Sequence, residues 1–389
     1  MDTMTAQTTH FSDFQYEVYL ADDRCDLPFD MAELEGQAKA VLSPQGYSYV
    51  ASGASSEDTM RANAESFRRW RIVPRMLRDV ACRDLSVELF GATFPSPVLL
   101  SPVGVQSIVH PDGERATAAA AAHTGIPFVL SSVSSVAMED VAAAMGDAPR
   151  WFQLYWPKDP ELTRSFLSRA EASGYSAIVV TLDNGLVGWR TRDLGLKYLP
   201  FLGGPMANYF SDPVFRAGLR VAPEEDLPAA LLHFAGLFAD LSLTWDDLTS
   251  LREMTNLPIL VKGLTSPDDA RQALDRGVDG VVVSNHGGRQ VDGALGALDA
   301  LPDVAEAVSG RVPVLFDSGI RTGSDAFKAL ALGAQAVLLA RPFLWGLALA
   351  GERGVRHVAR CFLADLDLTF ALSGYQSVHE LDSGALRRI

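Results

Sequence analysis

The run Ser284-Asn285-His286-Gly287-Gly288-Arg289-Gln290 puts an imidazole and a guanidinium within a few residues of each other, directly after the apolar Gly280-Val281-Val282-Val283. Imidazole takes up a proton near neutral pH, and guanidinium grips a carboxylate through two parallel hydrogen bonds. The intervening glycines let the backbone approach a flat ligand closely. A lone histidine after a strand is usually a satisfied turn residue. Here base, cation and glycines occur together, which favours proton abstraction from a carboxylate-bearing substrate.

Other polar residues end other apolar runs: Gln153, Tyr155, Thr181, Asp183, Lys262, Asp317, Arg321 and Arg341. Buried polar groups are costly without a partner or a task, so a ring of them is hard to explain by packing. Two subsets differ in chemistry. Asp317-Ser318-Gly319-Ile320-Arg321-Thr322-Gly323 and Ala340-Arg341-Pro342 combine glycine amides, two arginines and a helix start near Ser324, which suits a phosphate. His286, Arg289, Arg190, Tyr49, Tyr155 and Asp183 suit a carboxylate substrate and a single base. No G-x-G-x-x-G follows the first strand, so a nicotinamide site is unsupported, and no metal-ligand spacing stands out.

The elements that must position these residues form a rhythm. Eight short apolar runs are predicted as buried strands: Val98–Ser101, Phe128–Ser131, Trp151–Tyr155, Ala177–Thr181, Ile259–Lys262, Val281–Ser284, Val312–Asp317 and Ala336–Ala340. Amphipathic stretches such as Gly113–Thr124, Pro160–Ser173, Ser266–Arg276 and Ser324–Leu332 lie between most of them. Eight βα units with nearly continuous hydrophobic strands predict a closed (β/α)8 TIM barrel, whose active residues sit at the C-terminal strand ends. Residues 97–389 are assigned to this barrel. Residues 1–96 are assigned to a loosely ordered arm and a helical cap, with a helical pattern over Asp30–Val50 and another helix in the polar segment from Gly53 to Glu65. A long insertion after the fourth strand, 184–256, rich in aromatics, glycine and proline, is a candidate lid or oligomer contact.

The chain of 389 residues is 48% hydrophobic and 21% charged, ample for a large core. A net charge of −15 argues against nucleic acid and offers no basic face to a membrane, so local arginines must hold any anionic substrate. Cys25, Cys82 and Cys361 are scattered and odd in number, which fits a reducing compartment. The start is polar, and the apolar stretch Ala334–Ala350 is broken by Arg341, Pro342 and Gly346. A cytoplasmic protein is expected.

The Ser284–Gln290 run resembles the signature of the FMN-dependent α-hydroxy-acid oxidases and dehydrogenases. The resemblance extends from about Asp30 to the C-terminus. It includes Tyr49-Val50-Ala51-Ser52-Gly53-Ala54, Ser101-Pro102-Val103-Gly104, Phe152-Gln153-Leu154-Tyr155, Thr181-Leu182-Asp183 and Asp317-Ser318-Gly319-Ile320-Arg321. It implies that Pro102, Val103, Gly104, Ser131, Gln153, Thr181, Lys262 and Ser284 surround an FMN ring, and that Asp317, Gly319, Arg321, Ala340 and Arg341 hold its ribityl phosphate. It implies further that Tyr49, Arg190 and Arg289 clamp the substrate carboxylate and Tyr155 its hydroxyl side. His286 then takes a proton while two electrons pass to the flavin, and Asp183 orients the imidazole and raises its pKa. Gly188-Trp189-Arg190, Arg192-Asp193-Leu194 and the insertion are most similar to the lactate 2-monooxygenase branch, which implies oxidative decarboxylation of an L-2-hydroxy acid with O2. An oxidase releasing hydrogen peroxide, or an FMN-binding barrel of another function, are the alternatives. The family also implies a homo-oligomer, tetramer or octamer. Gly104 leaves room for oxygen beside the ring. Val103 and Ala340 depart from commoner residues of the family, and Asn184-Gly185-Leu186-Val187 with Val133 suggests a pocket for a substrate larger than lactate.

Overall fold

The computed structural model describes residues 10–22, 25–202, 206–238 and 240–389. Residues 1–9 of the arm and 203–205 of the insertion lie outside them. All eight apolar runs form parallel strands: β1 Val98–Leu100, β2 Phe128–Ser131, β3 Arg150–Leu154, β4 Ile178–Thr181, β5 Ile259–Leu264, β6 Gly280–Val283, β7 Val314–Phe316 and β8 Ala336–Leu339. They close into a barrel in chain order, with Leu338 of β8 opposite Leu99 of β1. The period-2 geometry of a strand sorts their side chains into two layers. Val129, Trp151, Val179, Leu260, Val282, Leu315 and Leu338 form one buried apolar cluster. Their alternate neighbours Leu130, Phe152, Val180, Val261, Val283 and Phe316 join a separate, larger one that includes the helices.

The barrel core is plugged by an element absent from the sequence expectation. Val87–Leu89 and Ala92–Phe94 pair as an antiparallel hairpin. Phe90 and Gly91 turn it with φ of 52° and 76°, the two positive values a tight hairpin turn requires. Val87, Leu89 and Phe94 complete the first of the two clusters. Their strands are too short to register against the helical pattern of the preceding segment.

The arm and cap hold four helices: α1 Asp13–Leu20, α2 Met31–Val41, α3 Pro44–Ala51 and α4 Asp58–Arg68. The arm is thus partly helical, and the single pattern over Asp30–Val50 is two helices. Ser43 accepts from the Gly46 amide at 3.0 Å and Pro44 opens the first turn, so cap and proline start a new helix there. Two further helices bear on the site: α5 Gly323–Ala331, and the long α6 Arg341–Ser373, which kinks at Ala350 and Gly351. The Ser12 amide ties the arm to Asp367 of α6 at 2.9 Å. Among the described residues no helix is long and apolar enough to cross a membrane.

The insertion between β4 and β5 folds into short helices, the longest Leu227–Leu237. It packs through aromatic rings: Phe201 lies against Phe238 and Phe234, and Tyr209 against Phe234. Two contacts carry this cluster to the barrel. Phe201 meets Tyr49 edge-on at 6.4 Å, and Phe238 meets Tyr155 at 5.2 Å.

Candidate active site

Beyond β6 the backbone turns through three consecutive positive φ values, 58° at His286, 67° at Gly287 and 74° at Gly288. The value at His286 is uncommon for a side-chain-bearing residue, and such positions gather at functional sites. The turn puts His286 Nδ1 2.8 Å from Asp183 Oδ1, just past the end of β4. Gly263 makes this possible: a Cβ there would lie 2.6 Å from the Asp183 side chain. With Nδ1 engaged, Nε2 has no protein partner among the described residues, and the ring lines the central cleft.

Burial is the largest influence on His286 and holds its pKa below the ordinary value. Asp183 raises it, as expected, but burial outweighs that effect. For Asp183, burial alone would raise the carboxyl, but His286 and Lys262 together hold it lower than usual. Asp183 Oδ2 is buried without a hydrogen-bond partner among the described residues.

Two cations flank this pair. Arg289 stands over the Tyr49 ring at 5.2 Å and donates to the Ser52 carbonyl at 2.7 Å. Tyr49 is buried and its hydroxyl donates to the Gly104 carbonyl at 3.3 Å. Arg190 is buried and donates to the Arg289 carbonyl at 3.3 Å and to Gln290 Oε1 at 3.0 Å. Neither arginine has a carboxylate partner among the described residues. Burial, then Arg190, lowers Arg289 to about 10. Gathered cations of this sort favour an anion. Burial likewise pushes the Tyr155 phenol up, keeping it a protonated donor.

Gln290 is the residue the sequence reading quoted without a role. Its Nε2 donates to the Asp183 carbonyl at 2.7 Å, to Asn184 Oδ1 at 2.8 Å and to the Leu186 carbonyl at 2.8 Å. Its Oε1 accepts from Arg190 and, at 3.3 Å, from the Gly188 amide. One amide thus ties the loop bearing Asp183 and Arg190 to the turn bearing His286 and Arg289.

The cleft runs from Tyr49, Tyr155, Thr181, His286 and Arg289 past Pro102, Val103, Gly104 and Lys262 to Asp317, Gly319, Arg321, Ala340 and Arg341. Ser131, Gln153 and Ser284 were expected at its wall but stand behind it. Ser131 donates to Gln153 Oε1 at 3.0 Å, Gln153 Nε2 donates to Thr181 at 3.0 Å, and only Thr181 reaches the cleft. Lys262 donates to Ser284 at 2.8 Å and pairs with Asp317 at 2.9 Å. Burial works against its ammonium, but Asp317 and Asp183 outweigh it and raise its pKa. Arg190 too lies outside the lining. Val133 lies outside the cleft lining and packs where a Cβ on Gly104 would go, at 2.6 Å.

At the far end Arg341 donates to the Val50, Ser52 and Gly287 carbonyls. Burial first, then Arg321 and Arg289, pulls it well below the ordinary arginine value. Neither Arg321 nor Arg341 meets a carboxylate within ion-pair distance among the described residues. A Cβ on Gly319, at φ 96°, would come within 3.0 Å of Phe67, so the backbone lies tight against the cap beside these arginines. Unpaired guanidiniums at one end and a fixed ammonium partway along fit a flat ring system carrying a phosphate.

Fold and site together define a (β/α)8 barrel with a histidine–aspartate pair and buried arginines without carboxylate partners at its strand ends. A family model described as FMN-dependent dehydrogenase matches residues 38–388, and the chain belongs to that family. It is 46% identical over 362 residues to an FMN-dependent alpha-hydroxy acid dehydrogenase of Penicillium citrinum, covering 92% of this chain and 90% of the relative. It is 45% identical over 356 residues to an L-lactate oxidase of Lysinibacillus sphaericus, covering 91% of each. Among solved structures, mandelate oxidase with (S)-4-hydroxymandelic acid is similar at a TM-score of 0.82 and 37% identity, covering 92% of this chain and 98% of that one. The protein is thus an FMN-dependent enzyme of the α-hydroxy-acid oxidase and dehydrogenase family.

Proposed function

We propose that the protein oxidises an L-2-hydroxy acid to the 2-keto acid with O2 as final acceptor. The observation that carries this is His286, held through Nδ1 by Asp183 at 2.8 Å, in one cleft with Arg289 and Tyr49. Bound FMN supplies the acceptor of two electrons. Arg321, Arg341 and the backbone at Gly319 would hold its phosphate, and Thr181, Lys262 and Pro102–Gly104 its ring. Arg289 and Tyr49 bind the substrate carboxylate, with Arg190 adding its charge from behind. Tyr155 donates to the hydroxyl side. His286 Nε2 takes a proton as the electrons leave the hydroxyl-bearing carbon, and Asp183 stabilises the imidazolium that forms. Lys262 provides a fixed positive charge for the negative charge collecting on the acceptor.

Two outcomes share this chemistry. Release of keto acid and hydrogen peroxide is supported by similarity to proteins described as L-lactate oxidase and mandelate oxidase. Oxidative decarboxylation needs the products kept together, and the aromatic insertion seated on Tyr49 and Tyr155 supports that second reading. Product analysis against oxygen uptake tests the proposal. An oxidase yields one keto acid and one hydrogen peroxide per O2; a monooxygenase yields the shortened acid and carbon dioxide with no peroxide. Substrate turnover with an artificial electron acceptor and none with O2 would contradict both.

A further inference from the structure

A second pocket, open to solvent on one side where Leu241 is 63% exposed, adjoins the cleft. It is lined by Tyr155, Trp156, Thr181, Leu182, Asn184, Gly185 and the end of the insertion from Asp240 to Leu248. Tyr155 and Thr181 line both spaces, so the two lie on either side of these side chains. Its large side chains are apolar: Trp156, Leu182, Leu241, Leu243, Trp245 and Leu248. It contains no lysine or arginine, and its one charged residue, Asp240, repels a second carboxylate.

On the side of the insertion the clamp is covered by aromatic rings. Phe201 and Phe238 pack on Tyr49 and Tyr155 and on each other. Val133 is buried against Gly104 and lines neither space. The remaining cleft runs toward Lys262 and the two arginines, which the ring and phosphate need. The apolar pocket adjacent to the clamp lies past Tyr155.

We propose that this cavity takes the substrate's side chain, and that the preferred substrates are unbranched aliphatic 2-hydroxy monoacids of about six to ten carbons. This rests on the 2-hydroxy-acid reading of the cleft and names its substrate class. Asn184, which accepts from Gln290, and Tyr155 form the passage, and Leu241, Leu243 and Trp245 receive the tail. Each methylene moved from water to an apolar wall adds up to about fourfold in affinity.

The test is kcat/KM for L-lactate, L-2-hydroxyhexanoate and L-2-hydroxyoctanoate in the holoenzyme and in Leu241→Trp and Leu243→Trp, which fill the cavity from residues outside the reacting groups. The wild type is expected to favour 2-hydroxyoctanoate over lactate at least tenfold. Either variant should cut that preference about tenfold and leave lactate within twofold, which also shows that it folds. Equal or better use of lactate by the wild type overturns the inference while leaving the hydroxy-acid reading intact. So does a long-chain preference that neither variant disturbs. No turnover of any of the three acids, with FMN bound, removes both.

Discussion

At His286 two influences oppose each other: burial favours the neutral ring and Asp183 favours the charged one, with burial the stronger. A base works unprotonated, so a lowered pKa extends activity to the acid side. The acidic limb of kcat/KM is expected to fall with an apparent pKa below the 6.5 of free imidazole, and a limb above it would contradict the assignment. Gln290 extends the same logic to position. Gln290→Leu keeps the volume and removes the hydrogen bonds to Asp183, Asn184, Leu186, Arg190 and Gly188. It is expected to raise KM about tenfold through a displaced Arg190 and lower kcat through a displaced Asp183. Unchanged values of both would show that the loop holds itself. His286 and Arg289 were legible in the sequence because charged groups sat within one short window. The task of Gln290 was not, because its partners lie roughly a hundred positions away and an amide advertises no acid–base chemistry.

Elements were legible where period and composition agreed, as in the eight strands and in the helix Gly113–Thr124. They were not where a short feature overrode a pattern, as with Ser43-Pro44 and the hairpin at Phe90-Gly91. The start of α4 shows a third kind of miss, a cap supplied from elsewhere. Its own N-cap, Glu57, makes no side-chain cap bond. Asp292, beyond the His286 turn, accepts instead from the amides of Ser56, Asp58 and Thr59 at 2.8, 2.7 and 3.1 Å. The Ser56 hydroxyl, then these amides, depress its pKa to about 2 against the raising effect of burial. A depressed carboxyl stabilises above its unfolded pKa of about 3.9 and loses that contribution as pH falls toward 2. Asp292→Asn is therefore expected to unfold about 1–3 °C lower at pH 7, the gap closing below pH 4. A constant gap across that range would mean that charge plays no part.

Over the whole molecule, a net charge of −15 surrounds a cleft held by arginines, so anion binding depends on local cations against an unfavourable field. Barrel closure gathers those cations from separate strand ends, and the insertion packs aromatic rings on Tyr49 and Tyr155 beside them. The sequence carried the barrel clearly because its signal repeats eight times. It carried the second cavity only as a hint in Asn184–Val187, because that space arises where the far end of the insertion folds back beside Tyr155. The most direct measurement of the central claim is anaerobic bleaching of the yellow FMN-loaded protein by L-2-hydroxy acids, in the wild type and in His286→Asn. The account predicts rapid bleaching of the wild type. His286→Asn should keep its colour and bleach slower by about two to four orders of magnitude. A wild type that stays yellow with every 2-hydroxy acid, or a His286→Asn protein that bleaches at the wild-type rate, would contradict it.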